Sequence, residues 1–250
     1  SFIITDANEA YVLEVAGDWW IVEKVRDYRS ISNDISIRGK GDLRRDGIIQ
    51  HAIKKGYCQD DGDFDFALTF SSNRPFPNYL ECSNRQLKEK KGEITPNLMM
   101  NFLREHESKI CRHQRKDLTV SSQVSYLQKG NKKSIHWFTG SSLTCLSIFK
   151  PYIFPIENQK ALELKTYSEV NPNWFWMRHL NKIKPFISKP NKENLERDTY
   201  RNMLKNVEID LILKVNEVLA KENDISEKET NNKMMSLNLE AWERSEKLIN

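Results

Sequence analysis

The spacing of hydrophobic residues changes several times along the chain, and these changes limit the folds it can adopt. Near the start, apolar side chains alternate as in a strand at Tyr11, Leu13 and Val15. Val12 interrupts this alternation, Gly17 and Asp18 form a tight-turn pair, and a second apolar run follows at 19–25. Another strand-like segment at 30–37 places isoleucines on one side. These segments predict a β-meander that is covered on one face and partly on the other.

Helical spacing follows, then strands, then helices again. The Thr95-Pro96 pair is typical of a helix start, because threonine can cap and proline fits the first helical position. Strands are predicted within 119–127, 134–139 and 147–154, the last beside an edge because it contains Pro151. A long amphipathic helix is predicted at about 192–221, and a final short helix at about 234–248. The order predicts an α+β fold, with one domain at 1–155 and a charged helical extension at 156–250 that packs on it.

Charge and cysteine usage narrow the function classes. Thirty-nine Lys and Arg against 35 Asp and Glu leave a net charge of +4, too balanced to indicate a nucleic-acid partner. There is no apolar run long enough to predict a membrane span and no secretory leader pattern, so we expect a cytoplasmic protein with reduced thiols. The four cysteines form no C-x-x-C pair, and Cys111 with His113 has no second pair to complete a zinc site. We therefore expect neither a metal nor a cofactor.

Catalytic motifs of the common hydrolases are also missing. None of the serines sits in a G-x-S-x-G turn, and Gly39-Lys40-Gly41 leads into no phosphate-binding pattern. His136 is expected to be a partly buried strand histidine, and the aromatic stretch at 173–177 to be a helix that docks its rings on the core. Asn33 stands out because its amide shares the side of the strand-like segment that carries the isoleucines, where it needs hydrogen-bond partners.

Six ordered segments resemble the secernins, which are related to cysteine dipeptidases of the N-terminal-nucleophile class. The segments read E-A-Y-V-L-E-V-A-G at 9–17, R-S-I-S-N-D-I-S-I at 29–37, F-D-F-A at 64–67, L-T-V-S-S-Q-V-S at 118–125, I-H-W-F-T-G at 135–140 and S-I-F-K-P-Y-I-F at 147–154. They occur in the family's order, and together they cover roughly residues 2–154. The last hundred residues resemble the family only in their general character.

The resemblance implies a fold, a reaction and a site residue. It implies an αββα sandwich, incomplete here, with C-terminal helices, and hydrolysis of dipeptide amide bonds. In such enzymes the nucleophile is a cysteine at the mature N-terminus, and its own α-amine serves as the general base. Asn33 matches the family's strand asparagine, and related enzymes use an asparagine to stabilise the oxyanion. Asn33 is therefore the expected catalytic residue, with a small peptide as substrate.

The chain also departs from the family. Its first cysteine is Cys58, whereas the family's nucleophile lies well upstream of the first strand, and Ser141 to Thr144 replace a Pro-Asp-Pro turn. The chain opens at Ser1 without methionine, so we expect a fragment that lacks the nucleophile and is inactive alone, with an exposed apolar face around its first hairpin. Two alternatives stay open: a non-enzymatic, secernin-like regulator of exocytosis or binding scaffold, and a serine hydrolase that uses Ser1.

Overall fold

An antiparallel sheet forms the start of the chain in this computed structural model, which describes residues 1–71, 78–114, 117–130, 132–154, 171–187 and 194–250. Its strands are β1 (Phe2–Thr5), β2 (Ala10–Ala16), β3 (Trp19–Lys24) and β4 (Leu43–Arg44), in that spatial order. Gly17, at the tight turn between β2 and β3, has a φ of 58°, a conformation that glycine adopts without strain. The predicted meander is confirmed for these first three strands.

One face of this sheet is covered by short helices. Val12, Glu14 and Ile21 point to the covered face and are fully buried. They pack near α1 (Ile48–Lys54) and α2 (Phe66–Phe70), whose buried side chains belong to the same core cluster. Asp65 caps α2, because its carboxylate accepts a hydrogen bond from the Leu68 N–H at 2.9 Å. A third helix, α3 (Asn78–Glu89), completes this part of the chain.

The opposite face of the sheet is apolar and exposed. Residues that lie directly opposite each other in the register share a face, so the partner pairs define its members. The most exposed are Phe2 (58%), Ile4 (55%), Val15 (44%), Trp20 (37%) and Leu43 (59%). The expected exposed apolar face is therefore present. The alternating residues Tyr11, Leu13 and Val15 lie on this exposed face, whereas Val12 and Glu14 lie on the face that the helices cover.

The strand predicted at 30–37 is wrong. This segment is irregular, with a bend at Asn33, and it pairs with no strand in the described ranges. The buried carboxylate of Glu14 takes the place of a strand partner. It accepts hydrogen bonds from the backbone N–H groups of Ser36 and Ile37, both at 2.8 Å, and from the Ser36 hydroxyl at 2.7 Å. Ile37 is buried while Asn33 is exposed, so the isoleucine side predicted for Asn33 does not form.

The second part of the chain begins with α4 (Pro96–Phe102), and the predicted start at Thr95 is confirmed by the hydrogen bond from Leu98 N–H to the Thr95 hydroxyl. Two short strands, β5 (His113–Gln114) and β6 (Asp117–Leu118), pair with each other. A three-stranded antiparallel sheet follows, with β7 (Gln123–Tyr126), β8 (Ile135–Phe138) and β9 (Lys150–Tyr152) in that order. β9 contains Pro151 and is an edge strand, as expected.

Three helices pack around this sheet. They are α5 (Phe175–Ile187), α6 (Leu195–Ala220) and α7 (Glu227–Ile249), and a short 3₁₀ helix, Thr144–Leu146, precedes β9. The helix predicted at about 192–221 is confirmed by α6, which begins at Leu195 and ends at Ala220. α7 begins seven residues before the predicted start because its first turns are polar, and its cap is Ser226, which accepts from the Glu229 N–H at 3.2 Å.

The chain divides into two compact units, Ser1–Ile94 and Thr95–Asn250, and the fold is thus mixed helix and sheet. The predicted domain boundary at 155/156 lies within residues 155–170, which are outside the described ranges. The separate C-terminal extension therefore stays a prediction. The helices of 175–249 nonetheless belong to the same unit as the β7–β9 sheet. Within the described ranges, no helix is both long and apolar enough to cross a membrane.

We expect Glu14→Ala to destabilise the first unit by about 2–4 kcal/mol, because it leaves the buried N–H of Ile37 and the partly buried N–H of Ser36 without an acceptor. Urea unfolding followed by tryptophan fluorescence measures this change. Glu9→Ala is the matched control, since Glu9 is an exposed residue of the same sheet region that pairs only with exposed groups, and little change is expected there. Equal effects of the two substitutions would contradict the anchoring role of Glu14.

Candidate functional site

Asn33, the residue predicted for catalysis, lies in the first unit on the bend that Glu14 holds. Its side chain is exposed and has no hydrogen-bond partner within the described residues. The neighbouring Asp34 carbonyl accepts from the Ser1 hydroxyl at 3.1 Å, and the same hydroxyl donates to Glu14 at 3.2 Å. Asn33 is therefore placed beside the first residue of the chain, with its amide free to bind a ligand.

The segment around Asn33 is also fixed on its other side. The guanidinium of Arg29 bonds the Glu23 carboxylate and the Ser36 hydroxyl, both at 2.9 Å, and only 14% of the Arg29 side chain is exposed. Glu14 and Arg29 belong to the first two segments that resemble the secernins. The buried carboxylate of Glu14 thus joins these two segments. Arg29 connects the second segment to Glu23 of β3, and Asn33 of that segment stays at the surface.

The second unit brings three further resembling segments together. His136, on β8, is half-buried, and its Nδ1 lies 2.9 Å from the Ser125 hydroxyl of β7. Burial lowers the pKa of His136. These contacts confirm the expected strand histidine, and they join the histidine to no second catalytic group among the described residues.

Lys150, the first residue of the edge strand β9, is a buried lysine. Its Nζ donates to the carbonyl oxygens of Thr139 at 2.6 Å and Ile148 at 3.3 Å. The same nitrogen lies 4.4 Å from the ring centre of Trp242 and 5.0 Å from that of Phe175. Burial lowers the pKa of Lys150 to about 7, although the carboxylates of Glu208 and Glu246 oppose this shift. A neutral amine has two N–H groups, which match the two carbonyl acceptors.

Four metal-ligating side chains meet elsewhere in the second unit. They are His106, Cys111, His113 and Cys145, and each offers one donor atom that lies within 4.8 Å of the other three. The His113 Nε2 is 3.2 Å from the Cys145 sulfur and 3.8 Å from the Cys111 sulfur. The rings of His106 and His113 are perpendicular, with centres 4.8 Å apart. Both cysteines are free thiols.

Two tight turns produce this cluster. After α4, the Cys111 N–H donates to the Glu105 carbonyl at 2.7 Å, and the Lys109 N–H to the His106 carbonyl at 3.1 Å. This double turn brings His106 back against the strand that carries His113. On the other side, Leu143 is buried with a φ of 60°, which is rare for a residue other than glycine. Its turn places Cys145 on the 3₁₀ helix, facing the histidines.

The two thiols have different proton affinities. The hydrogen bond from the Cys111 thiol is the main reason that the pKa of Cys145 is strongly lowered, and the His106 and His113 rings add to it. The same hydrogen bond, together with burial, raises the pKa of Cys111. The Arg201 guanidinium, 3.6 Å from the Cys145 sulfur, also favours its thiolate. Of the two thiols, Cys145 is thus the more acidic.

A cleft of about 400 Å³ opens beside the cluster. His106 and Cys145 line it, together with Asn101, Arg104, Arg201 and Lys205. One of its walls is rigid because the Arg104 guanidinium forms two bonds, 2.8 and 2.7 Å, to the buried Glu208 carboxylate. Small polar ligands can therefore reach two of the four clustered side chains.

The sequence pointed only to Cys111 and His113, and the structure supplies the second pair that this motif lacked. Cys145 is 32 residues from His113, and no spacing rule links them. His106 is closer, and the only signal for it was its position seven residues before His113 in a polar connection.

No protein-family model matches this chain, and no solved structure matches its fold. The chemistry of its own residues is therefore the basis for a functional assignment.

The buried amine of Lys150 makes stability depend on pH. Its pKa falls from 10.5 to about 7 on folding, so between these values the unfolded chain binds the extra proton, and the free energy of unfolding rises as pH increases. We expect a slope of up to about 1.4 kcal/mol per pH unit from this group. Below pH 7 both states are protonated, and the slope vanishes.

The measurement is urea unfolding at several values from about pH 6 to pH 10, for the natural chain and for Lys150→Met. The variant keeps the aliphatic stem but lacks the proton, so its curve should stay flat where that of the natural chain rises. Parallel curves would show that the Lys150 amine keeps its ordinary pKa in the folded protein.

Proposed function

We propose that this chain is part of a secernin-like cysteine dipeptidase of the N-terminal-nucleophile class, with an αββα sandwich and a cytoplasmic location. The single observation that carries the proposal is the anchoring of the Asn33 segment by Glu14. It supports the resemblance because two separately matched segments bond to each other through a buried carboxylate. The outcome is an exposed asparagine amide at the position where related enzymes stabilise an oxyanion.

The reaction assigns a clear role to Asn33. Attack of a thiolate on the dipeptide carbonyl produces a tetrahedral intermediate whose oxygen carries negative charge. The side-chain N–H of Asn33 donates to that oxygen, and no protein group in the described residues competes for this N–H. The first cysteine, Cys58, is buried in a core cluster, so we place the nucleophile on a segment outside these 250 residues.

The exposed face of the β1–β4 sheet supports the layered fold. In an αββα sandwich, each sheet has helices on one face and the other sheet on its second face. The first unit already has helices on the Val12 side, and its Phe2 side is apolar and uncovered. The proposal assigns this uncovered face to the second sheet of the sandwich in the complete protein.

The catalytic role predicts that the complete gene product hydrolyses dipeptide amide bonds. Asn33→Ala should lower kcat by roughly 10²–10³ with little change in KM, because the amide acts on the intermediate and not on the bound substrate. Asn8→Ala is the matched control, since Asn8 is an exposed asparagine in a turn of the same unit. It should leave the kinetics unchanged.

Two outcomes would contradict this role. One is an Asn33→Ala enzyme as active as the Asn8→Ala control, and the other is a complete gene product that hydrolyses no dipeptide. If replacement of the upstream cysteine left a cellular effect on secretion intact, the non-enzymatic regulator would be favoured. Activity of the 250-residue chain that is lost in Ser1→Ala would favour the serine hydrolase.

The layered fold predicts a context-dependent effect at Val15, which lies on a central strand of the uncovered face. Val15→Lys should change the stability of the 250-residue chain by less than about 0.5 kcal/mol, because the side chain is already 44% exposed. In the complete gene product it should cost more than about 1.5 kcal/mol, since a lysine would be buried against the second sheet. Leu68→Lys, at a position 69% exposed on α2, should be neutral in both. Equal effects of Val15→Lys in both would argue against a covering sheet.

A further inference from the structure

We propose that His106, Cys111, His113 and Cys145 form a structural site for one divalent zinc ion in the second unit. The site is independent of the proposed hydrolase function, because Asn33 and the β1–β4 sheet belong to the other unit.

The geometry of the four donors fits a tetrahedral ion. Bond lengths of about 2.3 Å to sulfur and 2.0–2.1 Å to nitrogen place neighbouring donors roughly 3.4–3.8 Å apart. The His113 Nε2 lies 3.2 Å from one sulfur and 3.8 Å from the other, which brackets this range. All donors lie within 4.8 Å of one another, so small side-chain rotations bring them onto one ion.

The donor chemistry selects zinc among the common divalent ions. Two sulfurs and two imidazoles are borderline-soft ligands, whereas Mg²⁺ and Ca²⁺ require oxygen donors. Two thiolates balance the charge of the ion. Arg201, 3.6 Å from the Cys145 sulfur, provides an N–H donor to one thiolate.

The protein alone leaves this cluster incompletely satisfied. His106 Nε2 and His113 Nδ1 are buried and have no hydrogen-bond partner within the described residues. A buried nitrogen without a partner is costly, and ligation of the ion through His106 Nε2 removes that cost for this atom. His113 faces the sulfurs with its Nε2, so its Nδ1 is not one of the four donors. Two turns with unusual backbone, at Lys109 and Leu143, hold the ligand pairs against each other.

Four protein ligands leave no open position, so the ion has a structural role. It joins the turn between α4 and β5 to the 3₁₀ helix before β9. Binding requires both sulfurs as thiolates, so any thiol proton still present passes to solvent.

The first test measures metal in the 250-residue chain. After purification without chelator, the chain should carry one zinc per molecule by elemental mass spectrometry. Replacement by Co²⁺ should give the absorption of a tetrahedral thiolate complex. Cys145→Ser should weaken zinc binding at least about 100-fold, as judged by competition with a chromophoric chelator. Cys82→Ala, at a buried cysteine of the other unit, should bind as tightly as the natural chain.

A second measurement needs no variant and so does not depend on the variants folding. Zinc should protect Cys111 and Cys145 from alkylation by iodoacetamide and leave the rates at Cys58 and Cys82 unchanged, as mapped by peptide mass spectrometry. Absence of stoichiometric zinc or Co²⁺ binding would overturn the proposal. Equal alkylation with and without zinc would also overturn it, as would a natural chain isolated with a Cys111–Cys145 disulfide.

Discussion

The buried carboxylate of Glu14 is the interaction on which the first unit depends. It lies on the covered face of β2, where an aliphatic side chain would be ordinary, and it accepts from two consecutive backbone N–H groups of a segment more than 20 positions away in the chain. A carboxylate in such a place is stable only when its acceptors are filled. The conformation of the Asn33 segment and the position of this carboxylate therefore determine each other.

The second unit also contains a buried carboxylate that accepts hydrogen bonds from groups distant in sequence. Glu208 on α6 is buried, accepts two bonds from Arg104 and one from the Phe149 N–H at 3.0 Å, and so connects α4, the edge of the β7–β9 sheet and α6. Lys150, which follows Phe149 and begins β9, is buried among carbonyl groups and aromatic rings. In both units a charged side chain bonds backbone groups that no neighbouring strand pairs with.

Local signals were sufficient for α4 and α6. Thr95 with Pro96 marks a start by its own chemistry, and the apolar spacing from Leu204 to Leu219 defines α6 without tertiary information. α7 shows the limit, because its first two turns are polar and only Ser226 and Glu229 marked the true start. The segment at 30–37 shows a different failure. Its apolar residues alternate as in a strand, but the carboxylate of Glu14, distant in sequence, accepts its backbone hydrogen bonds in place of a partner strand. The Cys–His cluster was beyond reach because Cys145 joins it only through the fold.

The uncovered face of the first sheet has a consequence for the isolated chain. β1 is an edge strand with the sequence Phe-Ile-Ile-Thr, all four residues are exposed, and it contains neither the proline nor the lysine that usually protects such an edge. Two copies can therefore pair along β1, and their apolar faces would then form one continuous surface. Self-association that increases with concentration is the physical cost of an uncovered apolar sheet with an unprotected edge.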